Sequence, residues 1–306
     1  MYHNITTRLV VQDHNQAFLP NGPAILEFSC SMVIIVLGTV FNVIEIGSLR
    51  RNATKLGLDA STKLTLNLAV SDLMFCSVTL PLYWLQRYFR SNPFVSDTFC
   101  EVNQMTFFWT FELSLMSLAV VSLNRLVLIC YNQHYDRIFS PARVWLMIVG
   151  LWLFSFALTL PPLTRTWGQF IILRDSVNLY CGLLQNPLTI GTSPRTFLYC
   201  IGFVVPFTAM LITFTMIGWK VRKFNHSKPQ QKNYHFYNVT MVIFGTFLIC
   251  YLPNLIMRGL MSYTPDHPYL RQIVKILVYS HAMVNPVIYL ATDRKNRINE
   301  NLLSML

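Results

Sequence analysis

Seven apolar segments, each long enough to cross a bilayer as a helix, restrict this chain to few architectures. They run from about Ala24 to Leu49, Thr62 to Gln86, Phe99 to Cys130, Val144 to Leu163, Thr196 to Val221, Tyr237 to Met261 and Ile273 to Leu290. Crossing the hydrocarbon takes about 20 apolar residues in a helix. Runs of this length exceed strands, and a helix satisfies its own backbone N–H and C=O groups where no water is at hand. All-round apolar helices also occur in the cores of large soluble proteins, but seven of them in 306 residues leave too little polar chain to cover such a core. An all-α bundle of seven transmembrane helices is the predicted fold, in one domain.

Composition agrees. Charged residues make up 12% of the chain and hydrophobic ones 53%, with a mean hydropathy of +0.43. Soluble domains carry charge on about a quarter of their residues. The net charge of +11 does not point to nucleic acid, because no nucleic-acid motif accompanies it. With the N-terminus outside, 15 of the 24 lysines and arginines fall on the cytoplasmic side, from Arg50, Arg51 and Arg125 to Arg294, Lys295 and Arg297. That bias gives the orientation. Asn4-Ile-Thr6 is a glycosylation sequon on the outer side. The polar first 25 residues contain no cleavable signal pattern, so the first span is expected to serve as signal anchor. Residues 1–23 are read as extracellular. Thr292 to Leu306 reads as a short cytoplasmic amphipathic helix at the membrane surface.

Polar residues inside membrane spans are costly and mark function. Here they form an ordered set: Gly38 and Asn42 in the first span, Asn67-Leu-Ala-Val-Ser-Asp72 in the second, and Ser122-Leu-Asn124-Arg125-Leu126 closing the third. Trp152 stands in the fourth, Pro206 in the fifth, Phe247 and Cys250-Tyr251-Leu252-Pro253 in the sixth, and Asn285-Pro286-Val-Ile-Tyr289 in the seventh. With one anchor per helix, in order, the chain resembles the rhodopsin-like (class A) G-protein-coupled receptors over its whole transmembrane region. Tyr135-Asp-Arg137, Trp167-Gly-Gln-Phe170 and Cys250-Tyr-Leu-Pro253 further resemble an arthropod branch that holds the trapped-in-endoderm and moody receptors.

The resemblance implies roles. Cys100 opens the third helix outside and Arg125 closes it inside, about 37 Å apart at 1.5 Å per residue. Cys181, in the second outer loop, is expected to pair with Cys100. Pro206, Pro253 and Pro286, with Phe247, mark where helices five, six and seven bend on activation, since each proline removes a backbone hydrogen bond. Asp72, with Asn42, Ser114 and Asn285 around it and His281 close by, is expected to hold an allosteric sodium ion. The alternative is a buried, hydrogen-bonded carboxyl. No other cofactor is implied, and nothing resembles a catalytic triad, zinc site or phosphate loop.

Four positions depart from the family pattern. Asn124 replaces the usual acid before Arg125, Leu126 the tyrosine after it, Tyr251 the sixth-helix tryptophan, and Phe214 a fifth-helix tyrosine that would face Tyr289. Without an acid to restrain Arg125, elevated basal signalling is expected. The alternative is that Asn124 hydrogen-bonds well enough to hold the resting state.

The ligand pocket is expected between the outer halves of helices three, five, six and seven. Phe107, Phe108 and Phe111 lie there with Glu112. Phe107 takes the place where amine receptors carry aspartate, which disfavours a biogenic amine. Arg258, Arg271 and Lys275 near the mouth suit an anionic lipid or organic acid, or else snorkel to the headgroups. Inside, Arg125, the loop from Asn132 to Arg137 and the stretch from Lys220 to Lys232 form the expected docking surface for a heterotrimeric G protein. Two other classes stay open: a non-signalling scavenger receptor, and a transporter, which the lack of internal repeats disfavours.

Overall fold

The computed structural model describes residues 22–56, 59–88, 97–174, 179–184, 194–224, 231–260 and 268–304. The expected glycosylation site, Asn4, lies outside them. The first span is α1 (Gly22–Leu56), and the second combines α2 (Ala60–Met74), a π turn (Phe75–Thr79) and α3 (Leu80–Tyr88). The third is α4 (Asp97–Cys130). A short inner loop, with a 3-10 turn and α5 (Tyr135–Ile138), leads to the fourth span, α6 (Pro141–Leu163). A hairpin of β1 (Gln169–Arg174) and β2 (Leu179–Leu184) follows. The fifth span joins α7 (Pro194–Tyr199), a π turn (Cys200–Val204) and α8 (Val205–Phe224). The sixth is α9 (Gln231–Leu260) and the seventh α10 (Pro268–Ser304).

Six of these spans contain helices long and apolar enough to cross a membrane, and the sixth span supplies a shorter apolar stretch, Met241–Met257. Burial is reversed relative to a water-soluble protein. Leu146 is 73% exposed and Leu153 64%, whereas Asn42, Asp72 and Ser114 are fully buried. Apolar residues face outward because lipid is the solvent, and polar ones turn inward to find partners.

Both π turns precede a proline, Pro81 and Pro206. Proline supplies no N–H to the helical ladder, and local widening of the helix takes up the mismatch. Gly38 allows the first two spans to close up. A Cβ there would lie 2.5 Å from Cys76 Sγ. The main core runs through the bundle axis, from Ile34 and Phe75 through Leu115 to Phe203, Phe247, Tyr251 and Ala282.

The second outer loop forms an antiparallel hairpin with Ile172 opposite Cys181, entered through Gly168 at φ 82°. The left-handed φ suits a residue without a Cβ. The surface helix expected after Leu290 is not separated from the seventh span, as α10 continues to Ser304. No glycine or proline stands between Val287 and Ser304 to stop it.

Candidate functional site

The outer half of the bundle encloses a cavity of about 420 Å³. The third span contributes Gln104, Phe107, Phe108, Phe111 and Glu112, so the expected aromatic face does line it. The fifth span adds Tyr199, Gly202 and Phe203, the sixth Asn254, the seventh Lys275 and Tyr279, and the hairpin closes over it with Cys181 to Leu183. Phe107 stacks on Phe111 with ring centroids 6.2 Å apart, and Phe108 stacks on Phe170 of β1 at 5.9 Å. A disulfide joins Cys100 to Cys181, with Cα atoms 5.7 Å apart, and fixes the hairpin to the top of the third span.

Of the expected cations, Lys275 lines the cavity and Arg271 does not. The side chain of Arg258 lies outside the described residues. Lys275 Nζ stands 3.8 Å from Glu27 Oε1, and Arg87 Nη1 stands 3.1 Å from Glu27 Oε2. Tyr83 donates to Glu27 at 3.2 Å and accepts from Arg87 at 3.0 Å. The basic wall is therefore partly neutralised by Glu27, which is not among the residues expected at the pocket. The signal was available, since Glu27 is an acid inside an apolar helical run.

Below the cavity, Tyr251 is fully buried and links two layers. Its ring lies 6.2 Å from Phe111, 4.8 Å from Phe247 and 5.2 Å from His281. His281 belongs to the mid-bundle polar cluster. Asp72 accepts from Ser114 through Oδ1 and from Asn285 through Oδ2 at 2.8 Å. His281 Nδ1 donates to the Val278 carbonyl at 2.6 Å, and its Nε2 lies 3.1 Å from Ser114 Oγ and 3.7 Å from Asp72 Oδ1. Asn42 is fully buried in the first span. It donates to the Gly38 and Ala282 carbonyls, both at 2.8 Å, pinning the first span to the seventh. A carboxylate and a hydroxyl suit a hard cation. The Asp72 and Ser114 oxygens are thus of the kind a sodium ion takes, and His281 stands against the same carboxylate.

Toward the inner end, Trp152 donates to Asn67 at 2.8 Å and Asn67 donates to Ser117 at 2.8 Å, tying spans four, two and three. Asn124 is buried and donates to the Tyr135 hydroxyl of the inner loop at 3.0 Å. Arg125 and Tyr289 are half-buried close to the inner ends of their spans, and Pro286 is buried. Phe214 packs face to face on Phe244 at 4.3 Å, filling with an aromatic pair the place where a hydroxyl is absent. Lys220 donates to the Cys130 carbonyl at 3.0 Å and joins spans five and three. Pro206 is buried behind its π turn, and Pro253 sits inside α9 two residues after Tyr251.

An outer cavity, a disulfide-held lid, a mid-bundle acid and a half-buried inner arginine thus occur in one bundle. The sequence model of the 7 transmembrane receptor (rhodopsin family) matches residues 51–289. The chain belongs to that family. It is similar to protein trapped in endoderm-1 of Drosophila melanogaster, at 25% identity over 92% of this chain and 78% of the relative. It is similar to the G-protein coupled receptor moody of the same fly, at 22% identity over 90% of this chain and 50% of that protein. A rhodopsin of Mizuhopecten yessoensis, described as GQ-coupled, is 24% identical over 86% of this chain and 58% of its own length. The rhodopsin-family receptor described here is therefore a multi-pass protein of the plasma membrane and a G-protein-coupled signalling receptor.

Proposed function

We propose that this receptor binds an extracellular molecule bearing an acid group on an apolar body, an anionic lipid or organic acid, and activates a heterotrimeric G protein. The observation that carries this reading is the cavity itself: aromatic walls with Lys275 as the cation among the described residues lining it. Lys275 and Arg87 together outnumber Glu27, which leaves one positive charge for a carboxylate or phosphate. The ligand's body rests on Phe107, Phe108 and Phe111, and Tyr251 carries its position to Phe247, Pro253 and the inner half of the sixth span.

In this reading the whole chain is one receptor domain, with the N-terminus and the hairpin outside. The Cys100–Cys181 disulfide supports that orientation, since disulfides persist in oxidising compartments. Arg125 engages the G protein, beside the inner loop from Asn132 to Arg137, and residues 292–306 lie on the cytoplasmic side. Asn285, Pro286 and Tyr289 form the hinge of the seventh span. Asp72 and Ser114 supply the oxygens for sodium, an ion that favours the resting arrangement when bound. Asn4 carries the outer glycan.

Nucleotide exchange on a panel of purified G proteins tests the reading, with Gq included because one relative is described as coupled to it. Dodecanoic acid should raise exchange in the wild type but not in Arg125→Ala. A scavenger reading draws on Asn124, which replaces the acid beside Arg125. Binding of the acid without exchange on any G protein would establish that reading instead.

A further inference from the structure

The inner end of the cavity holds an acidic side chain that acid recognition leaves unused. Glu112 lines the cavity, is 2% exposed, and its Oε2 has no hydrogen-bond partner. Among the described residues none forms an ion pair with it. A buried carboxylate without a counter-charge is costly, and among the described residues no cation offsets that cost. The facing helix is cut away to leave it room. A Cβ at Gly202 would lie 2.5 Å from Glu112 Oε1 and 2.6 Å from its Cδ and Cγ.

The surroundings favour a cation over a neutral donor. Phe107, Phe108, Phe111 and Phe203 border the same space. Aromatic faces attract ammonium groups, and a carboxylate forms its strongest hydrogen bonds with charged donors. Phe107 excludes an amine from the position where other receptors hold one. Glu112 stands five residues further along the helix, roughly 7.5 Å deeper.

We propose that Glu112 is a ligand-recognition acid, and that the molecule filling the cavity carries a protonated amine at its inner end. Combined with the acid group proposed to meet Lys275, on which this inference builds, the ligand class is an apolar body charged at both ends: ammonium inward, carboxylate or phosphate outward.

Three probes with one chain length test it on the full-length receptor in lipid nanodiscs: dodecanoic acid, dodecylamine and ω-aminododecanoic acid. Affinity is read by competition and by the rise in unfolding midpoint. In the wild type, ω-aminododecanoic acid should bind at least about tenfold more tightly than dodecanoic acid. Glu112→Gln should erase that advantage and leave dodecanoic acid within about twofold of its wild-type affinity. Equal binding of the two probes by the wild type, or an advantage that survives Glu112→Gln, overturns the proposal. If Glu112→Gln does not reach the membrane, Gly202→Ala reads the same contact from the fifth span, because the added methyl displaces the carboxyl. The amine advantage should then fall by the same factor, and its persistence is again refutation. Lys275→Ala separates the two ends. Dodecylamine binding that needs Glu112 while dodecanoic acid binds nowhere supports Glu112 and defeats the acid reading. Dodecanoic acid binding that needs Lys275, with dodecylamine indifferent to Glu112, does the reverse.

Discussion

At the scale of single residues, the switch region shows how one substitution changes partners. Asn124 is uncharged, and its amide points to Tyr135, not to Arg125. An acid at this position would add an ionic restraint on Arg125 that the resting state enjoys and the active state loses, shifting populations by its differential energy. We expect Asn124→Asp to lower basal nucleotide exchange about fivefold, corresponding to about 1 kcal/mol. Unchanged basal exchange in this variant would show that the asparagine already holds the resting state through Tyr135. At the outer end, Glu27 is fully buried and serves both Arg87 and Lys275. Its removal takes from both cations the counter-charge they share among the described residues. Breaking a buried pair from one side costs about 3 kcal/mol or more, and the 25% exposure of Arg87 moderates the penalty. Glu27→Ala should therefore lower the unfolding midpoint of the purified receptor by several degrees, and Glu27→Gln by less. Equal midpoints for all three would mean that water already screens the cluster.

At the scale of elements, the sequence was most legible where lipid imposes its rule. Seven helical spans, their order, and the inward turning of Asp72, Asn67 and Asn285 all follow from polar residues at fixed places in apolar runs. Glu27 was harder, because its partners stand 60 and 248 positions away and no helical period links them. Asn42 is expected near Asp72 because both lie mid-span, and its bond to the Ala282 carbonyl adds what hydropathy does not define, the rotation of the first helix against the seventh. The π turns have no hydropathy signature, and only Pro81 and Pro206 mark their places in the sequence. Gly38 belongs to the family pattern, and its physical reason is the approach of Cys76. Overpacking of this kind costs about 1–3 kcal/mol. Gly38→Leu should thus reduce both surface expression and unfolding midpoint, and a midpoint equal to wild type would refute the close-packing argument. The hairpin gives a second test at this scale. Cys181 to Leu183 line the cavity, and their position relies on the bond to Cys100. Cys181→Ser releases a constraint whose typical contribution is about 2–4 kcal/mol. It should lower probe affinity as well as the unfolding midpoint, since the lid is ordered anew at each binding event. A midpoint that falls while probe affinity stays constant would show that the hairpin holds its place without the bridge.

At the scale of the whole molecule, the question is how the outer cavity and the inner arginine share one equilibrium. Phe111 borders the cavity and stands 6.1 Å from the His281 ring, and Tyr251 touches Phe111, Phe247 and His281 together. Any ligand that moves Phe111 therefore also bears on the imidazole beside Asp72. Because coupling free energy is reciprocal, an ion at Asp72 that disfavours the ligand-bound arrangement must be disfavoured by the ligand to the same extent. Typical couplings of about 1–3 kcal/mol correspond to changes of roughly 5- to 150-fold. We expect sodium chloride, compared with choline chloride at equal ionic strength, to weaken dodecanoic acid binding at the lower end of that range. Asp72→Asn should remove the difference between the salts. His281→Ala should enlarge it, because the imidazole Nε2, 3.7 Å from Oδ1, no longer stands against the carboxylate. A salt difference that persists in Asp72→Asn would place the sodium effect elsewhere. One that shrinks in His281→Ala would make the imidazole a supporting neighbour of the ion site, with Tyr251 acting through the sixth span alone.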